Sequence, residues 1–207
     1  GVPTGTSAVI CAPTSSGKTL VGELALANAM TSDLNALYLV SHKALAEQKY
    51  ADFSDRFSSA RWQGTVTVGI STGDHEEGDV NCRLLVSTYE KALGLVLAGR
   101  LKVPKTLVIA DELQLLGEDG RGAEVETLCA LLRQQKPHQF VGLTATVENP
   151  DELAAWMGCE SVQSTTRDVV LIQMILWNGQ QYSVRFGQED GETENSTFGT
   201  TDLNGVV

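Results

Sequence analysis

Short apolar runs alternate along this chain with stretches in which apolar residues recur every three or four positions. The runs Ala8–Cys11, Ala36–Val40, Thr65–Ile70, Arg83–Ser87, Thr106–Ala110 and Gln139–Leu143 have the length and content of buried strands. Helical spacing covers Lys18–Met30, Lys43–Phe57, Tyr89–Ala98, Ala123–Gln134 and Pro150–Met157. The last helix is expected to open with Asn149 as N-cap, Pro150 in the first turn, and Asp151 and Glu152 beside its positive end. Strands and helices in this order predict an α/β fold with a mostly parallel sheet and helices on both faces. Ligands of such sheets bind at the carboxyl ends of the strands.

The pattern changes near Arg167. Val169–Trp177 is strongly apolar, Asn178-Gly179 signals a tight turn, and Gln181–Phe186 alternates, which predicts a β-hairpin over 167–187. Residues 188–207 are rich in Glu, Thr, Gly and Asn and are expected to form a polar, mobile linker. The 207 residues, 42% hydrophobic and 20% charged, suffice for one well-cored domain with an appendage. The chain does not begin with methionine and its first motif arrives at once, so a piece of a longer protein is expected. No apolar stretch is long enough to span a membrane and no secretory signal opens the chain. Cys11, Cys82, Cys129 and Cys159 lie far apart without a paired spacing, which points to reduced thiols in an intracellular protein. The net charge of −11 by itself counts against a nucleic-acid partner, although a cleft can be locally basic on an acidic body.

Three strand ends carry candidate chemistry. Ala12-Pro13-Thr14-Ser15-Ser16-Gly17-Lys18-Thr19 sits between a strand and a helix, with Ala12 where the usual phosphate loop begins with glycine. Backbone N–H groups of Thr14, Ser15, Ser16 and Gly17 and the helix start would cradle the phosphates of ATP. Lys18 would reach the outer phosphates, and the Thr19 hydroxyl would ligate Mg²⁺. A second strand ends in Asp111-Glu112: Asp111 suits the metal ion, and Glu112 suits orienting and deprotonating a water. The third ends in Thr144-Ala145-Thr146, whose Thr144 and Thr146 hydroxyls could sense the γ-phosphate.

Ala12–Thr19, Asp111-Glu112-Leu113-Gln114 and Leu143-Thr144-Ala145-Thr146 resemble the first, second and third motifs of superfamily 2 helicases of the DExH-box type. Val40–Ala46, Gly69–Asp74 and Ser87–Lys91 look like that family's strand-contacting segments. Leu115–Glu118, Arg121-Gly122 and Arg167-Asp168-Val169 are similar to the repair helicases that include the helicase part of DNA polymerase theta. The resemblance runs over roughly residues 8 to 187. It implies a RecA-like ATP-binding domain over 1–166, the hairpin over 167–187, and a linker over 188–207 towards a second RecA-like domain. It further implies ATP and Mg²⁺ as cofactors, and single-stranded or partly duplex nucleic acid as partner, DNA favoured over RNA. Lys43, Thr72, Gly73 and Thr88 would make backbone contacts to the strand.

Two departures from the family pattern stand out. Gln114 occupies the position of the usual histidine and can hydrogen-bond without taking a charge, so hydrolysis is expected to survive with its link to strand movement in question. Asp168 replaces the usual proline. Catalytic roles thus fall to Lys18, Glu112 and Gln114. The arginine finger is expected from the second RecA-like domain, an effect worth about 10³- to 10⁵-fold in related systems, so this chain alone is expected to bind nucleotide weakly and turn it over very slowly. Two competing readings are a P-loop kinase or NTPase acting on a small molecule, and an ATP-switched nucleic-acid clamp that does not unwind.

Overall fold

The computed structural model describes residues 5–14, 16–58, 62, 65–145, 147–164 and, as backbone, 171–177, 180–186 and 199–202. The chain divides into two units, Gly1–Ser164 and Thr165–Val207. In the first, the elements follow in the order β1 (Ala8–Cys11), α1 (Lys18–Thr31), β2 (Asn35–Val40), α2 (Lys43–Ser58), β3 (Val68–Ser71), β4 (Glu76–Glu77), β5 (Leu84–Thr88) and α3 (Tyr89–Leu97). Then come β6 (Thr106–Ala110), a 3₁₀ helix (Leu113–Gly117), α4 (Gly122–Gln135), β7 (Gln139–Thr144), α5 (Pro150–Met157) and β8 (Glu160–Gln163).

The strands form one sheet in the order β4-β3-β5-β2-β6-β7-β1-β8, parallel throughout except for β4 against β3. Alternation along each strand feeds two cores. Val9, Leu37, Leu39, Val108 and Ala110 face α3, α4 and α5, packing with Tyr89, Leu95, Leu128, Leu132 and Met157. Ala8, Ile10, Ala36, Tyr38, Val40, Leu107 and Ile109 face α1 and α2, packing with Leu26, Met30, Phe53 and Phe57. Burial on both faces explains why these strands read as continuous apolar runs.

All six expected strands and five expected helices of this unit are present, with ends shifted by at most a few residues. Two short strands went unread: Glu76–Glu77 and Glu160–Gln163, both exposed edge strands with no apolar run to announce them. Helix α5 opens as expected, with Asn149 at the N-cap position, Pro150 at its start and Asp151 and Glu152 in its first turn, but Asn149 does not cap it through its side chain. Asn149 Nδ2 instead donates to Glu152 Oε2 at 2.6 Å.

The second unit holds β9 (Leu171–Trp177), β10 (Gln180–Phe186) and β11 (Gly199–Asp202) in an antiparallel sheet with β10 central. Trp177 pairs with Gln180, and the expected Asn178-Gly179 turn lies outside the described residues. A strand at Gly199–Asp202 falls where only a polar linker was expected; the remainder of 188–207 lies outside the described residues.

Candidate functional site

Among the described residues, the first, second and third motifs and the segments after β2, β3 and β5 sit at the carboxyl edge of the large sheet. The register sets Cys11 beside Thr144, Ala110 beside Gly142, Leu39 beside Ala110, Val40 beside Thr88 and Ser71 beside Ser87. β1, β7 and β6 thus carry the phosphate loop, the Thr144 segment and the acidic pair as neighbours. β2, β5 and β3 carry Lys43, Thr88 and Thr72-Gly73 on the other half of the same edge. Only β7 separates β1 from β6, so the two nucleotide motifs start about 10 Å apart.

The loop after β1 is closed by Ser16 N–H donating to the Pro13 carbonyl, and Gly17 at φ 83° turns the chain into α1. That left-handed conformation is one glycine adopts without strain. Lys18 Nζ donates to the Ala12 and Pro13 carbonyls at 2.6 and 2.7 Å, so its charge lies over the loop. Ser16 Oγ is buried without a hydrogen-bond partner among the described residues, and a phosphate oxygen would satisfy it. Thr14 and Thr19 are exposed; Ser15 lies outside the described residues.

Asp111 is buried at the tip of β6. Its Oδ2 accepts from the Tyr38 hydroxyl at 3.1 Å, and its Oδ1 from Glu112 N–H at 3.0 Å. The Tyr89 hydroxyl donates to its main-chain carbonyl at 2.7 Å. Burial pushes the Asp111 carboxyl above its ordinary value and the Glu112 charge adds to this, while the Tyr38 and Glu112 hydrogen bonds and the Lys49 charge pull it back. A hydroxyl at Thr19 and carboxylates at Asp111 and Glu112 are hard oxygen donors of the kind Mg²⁺ takes, so the residues present fit Mg–ATP. The ion would offset the desolvation that Asp111 carries.

Glu112 stands at φ 57°, ψ 44°, a left-handed conformation that costs a non-glycine residue about 1–2 kcal/mol. Strain of this kind recurs where a side chain must be aimed. Two residues on, Gln114 Oε1 accepts from Ala145 N–H at 3.0 Å and from Thr144 Oγ1 at 3.4 Å. The second and third motifs are therefore in direct contact through Gln114 acting as acceptor. Thr146 lies outside the described residues.

On the other half of the edge, Lys43 pairs with Asp74, and its Cε and Nζ would stand 3.2 and 3.3 Å from a Cβ at residue 73. Thr72 closes a turn with His75, its Oγ1 accepting from His75 N–H at 3.0 Å. Thr88 caps α3, accepting from Lys91 N–H at 3.4 Å. Lys43, Thr72 and Gly73 are thus brought together, with Thr88 one strand away and already used as a cap.

Three sets of contacts that sequence reasoning missed tie the edge together. Tyr38 and Tyr89 reach Asp111 from opposite faces of the sheet. Arg121, just before α4, donates to the Ser41 carbonyl, and its Nη2 and Nε both donate to Glu90 Oε1, at 2.7 and 3.0 Å, joining the loop after β2 to the start of α3. Glu23 of α1 bonds Lys49 and Arg56 of α2 at 3.1 and 2.9 Å, and Lys49 Nζ lies 5.6 Å from the centre of the Tyr38 ring.

Burial alone would push Glu23 up, but the hydrogen bonds and charges of Lys49 and Arg56 outweigh it and hold the carboxyl below its ordinary 4.5. A depressed carboxylate stabilises the fold above its unfolded value, and that contribution is lost as pH falls through the lower, folded value. The melting temperature of the wild-type chain is therefore expected to fall more steeply below pH 4.5 than that of Glu23→Gln, measured by circular dichroism.

Known proteins share this fold. The Hef helicase domain of Pyrococcus furiosus superimposes with a TM-score of 0.61 at 21% identity, over 78% of this chain and 36% of that one. The DUF1998 helicase MrfA bound to DNA does so with a TM-score of 0.59 at 21% identity, over 78% and 25%. At these identities the likeness is one of fold, and it bears out the RecA-like α/β architecture. The ATP-dependent DNA helicase Hel308 of Pyrococcus horikoshii is 34% identical over 201 residues, 94% of this chain and 26% of the relative. Its counterpart from Pyrobaculum calidifontis is 38% identical over 193 residues, 86% and 25%. The chain thus spans about a quarter of the length of these relatives. The profile of the DEAD/DEAH box helicases matches residues 2–153, from before β1 into α5 and through all three nucleotide motifs, and the chain belongs to that family.

Proposed function

We propose that this chain is the first RecA-like ATPase domain of an ATP-dependent DNA helicase, working inside the cell, whose complete form couples Mg–ATP hydrolysis to movement along, or separation of, DNA strands. The observation that carries the reading is the β6-β7-β1 neighbourhood, which sets Lys18 and Asp111 across one strand from each other at the same sheet edge. Lys18 would leave the Ala12 and Pro13 carbonyls for the outer phosphates, joined by the Ser16 hydroxyl and the N–H groups of Thr14 to Gly17. Thr19 and Asp111 would hold Mg²⁺, which when bound draws charge from the phosphate oxygens. Glu112 would orient the attacking water and take its proton. Gln114 would pass the state of the site to Thr144 and Ala145, with Thr146 completing that segment.

Lys43, Thr72, Gly73 and Thr88 would meet the backbone of one strand, which positions a chain without reading its sequence. DNA is favoured over RNA by the names of the relatives, both DNA helicases. A second RecA-like domain would supply the arginine that stabilises the transition state; Arg121, the arginine nearest Glu112 in the chain, is engaged by Glu90 and Ser41. The test is titration of the chain with a fluorescent ATP analogue with and without Mg²⁺. Lys18→Ala is expected to weaken binding about tenfold or more, the value of a charge-assisted hydrogen bond to phosphate. Unchanged affinity in that variant would refute the site. In a complete protein, ATP turnover without strand separation would mark a clamp, and turnover indifferent to DNA a small-molecule NTPase.

A further inference from the structure

The carboxylate assigned to Mg²⁺ is held by a group from outside the helicase motifs. Tyr38 lies in the middle of β2, its side chain fully buried on the α1/α2 face of the sheet. Its hydroxyl donates to Asp111 Oδ2, and its ring rests edge-on against Phe53 at 5.3 Å between centroids. Lys49 Nζ stands 5.6 Å from the same ring. With Oδ1 already bonded to Glu112 N–H, Tyr38 fixes the second carboxylate oxygen and so the rotation of the whole group. Tyr89 reaches the same residue from the opposite face but holds the main-chain carbonyl, leaving the carboxylate to Tyr38.

We propose that Tyr38 is a positioning residue for the metal: its hydroxyl sets the Asp111 carboxylate in the orientation that receives Mg²⁺. This rests on the reading of Lys18, Thr19 and Asp111 as the Mg–ATP site. It separates Tyr38 from a tyrosine that merely packs, because a packing role would affect nucleotide binding equally with and without the ion. The energetic tie runs through one hydrogen bond to a charged acceptor, so the expected loss is about tenfold.

The experiment compares ATP-analogue affinity with Mg²⁺ and with EDTA for the wild-type chain, Tyr38→Phe, Asp111→Asn and the double variant. Tyr38→Phe is expected to lose about tenfold of the Mg²⁺-dependent gain while its affinity in EDTA stays that of the wild type. In the Asp111→Asn background, the same change is expected to have no further effect on the gain. A Mg²⁺-dependent gain in Tyr38→Phe equal to the wild type's, or an equal loss in both conditions, overturns the proposal and leaves the site intact. No Mg²⁺ dependence in the wild type overturns the site itself. Should Tyr38→Phe fail to fold, the wild-type chain labelled with 3-fluorotyrosine decides: the Tyr38 ¹⁹F resonance is expected to shift when Mg²⁺ joins the ATP complex, and a stationary resonance overturns the proposal.

Discussion

Glu112→Gln in the complete protein is expected to leave Mg–ATP bound and to lower ATP turnover about 10²- to 10⁴-fold, the usual contribution of a positioned general base. Glutamine keeps the size of the side chain and the N–H that bonds Asp111 Oδ1. It also inherits the same left-handed backbone at residue 112, so the cradle and the metal carboxylate stay in place. Only the ability to accept a proton is lost. Among the described residues no hydrogen bond or salt bridge engages the Glu112 carboxylate, so the substitution breaks no contact that holds the fold. Steady-state turnover and nucleotide titration on the same preparation check the split. Turnover at the wild-type rate would remove Glu112 from the chemistry, and an equal fall in affinity would make it a binding residue instead.

The second large effect is on stability. Gly122→Ala is expected to destabilise the chain by about 3 kcal/mol, since overpacking against groups that cannot yield sits at or beyond the upper end of its usual range. A Cβ there would lie 2.5 Å from the Leu116 carbonyl oxygen, 3.2 Å from its carbon and 3.3 Å from the Leu115 carbonyl oxygen, all backbone atoms of the 3₁₀ helix. Relief requires α4 to lift away, which also pulls Arg121 from Ser41 and Glu90. For a domain of this size the melting temperature is expected to drop by roughly 6–12 °C. Gly94→Ala supplies the control. It lies inside α3 with nothing within 4 Å of the added carbon, so the methyl group is expected to stabilise by about 0.5–1 kcal/mol. Thermal melts that fall in both variants would contradict the Gly94 expectation, and melts that rise in both would contradict the Gly122 one.

The large sheet was legible in the sequence because its strands are buried on both faces, and runs such as Thr106–Ala110 leave no ambiguity once helical spacing brackets them. Glu76–Glu77 and Glu160–Gln163 were not, because an edge strand needs only backbone pairing and its side chains carry no signal. The loops of the site were legible for a related reason: phosphate cradles and acidic strand ends are built from contiguous residues. What holds those loops was hidden. Tyr38 and Asp111 are 73 positions apart, and Arg121 and Ser41 are 80 apart, so nothing local pairs them. Nor could a string of letters show that Glu112 takes a positive φ, since that is imposed by the turn into the 3₁₀ helix. Asn149 stands where the N-cap was read, but its side chain bonds the Glu152 carboxylate instead of the helix backbone.

β2 and β6 pair directly, Asn35 with Thr106 through Leu39 with Ala110, between the half of the edge that would hold the triphosphate and the half that would hold a nucleic-acid strand. A hydrogen-bonded parallel sheet clamped between two cores has no soft direction along its width. The domain is in that sense a ruler, with graduations one strand wide. If the proposed movement along DNA holds, its stride would come from bodies shifting against this ruler, never from the ruler lengthening.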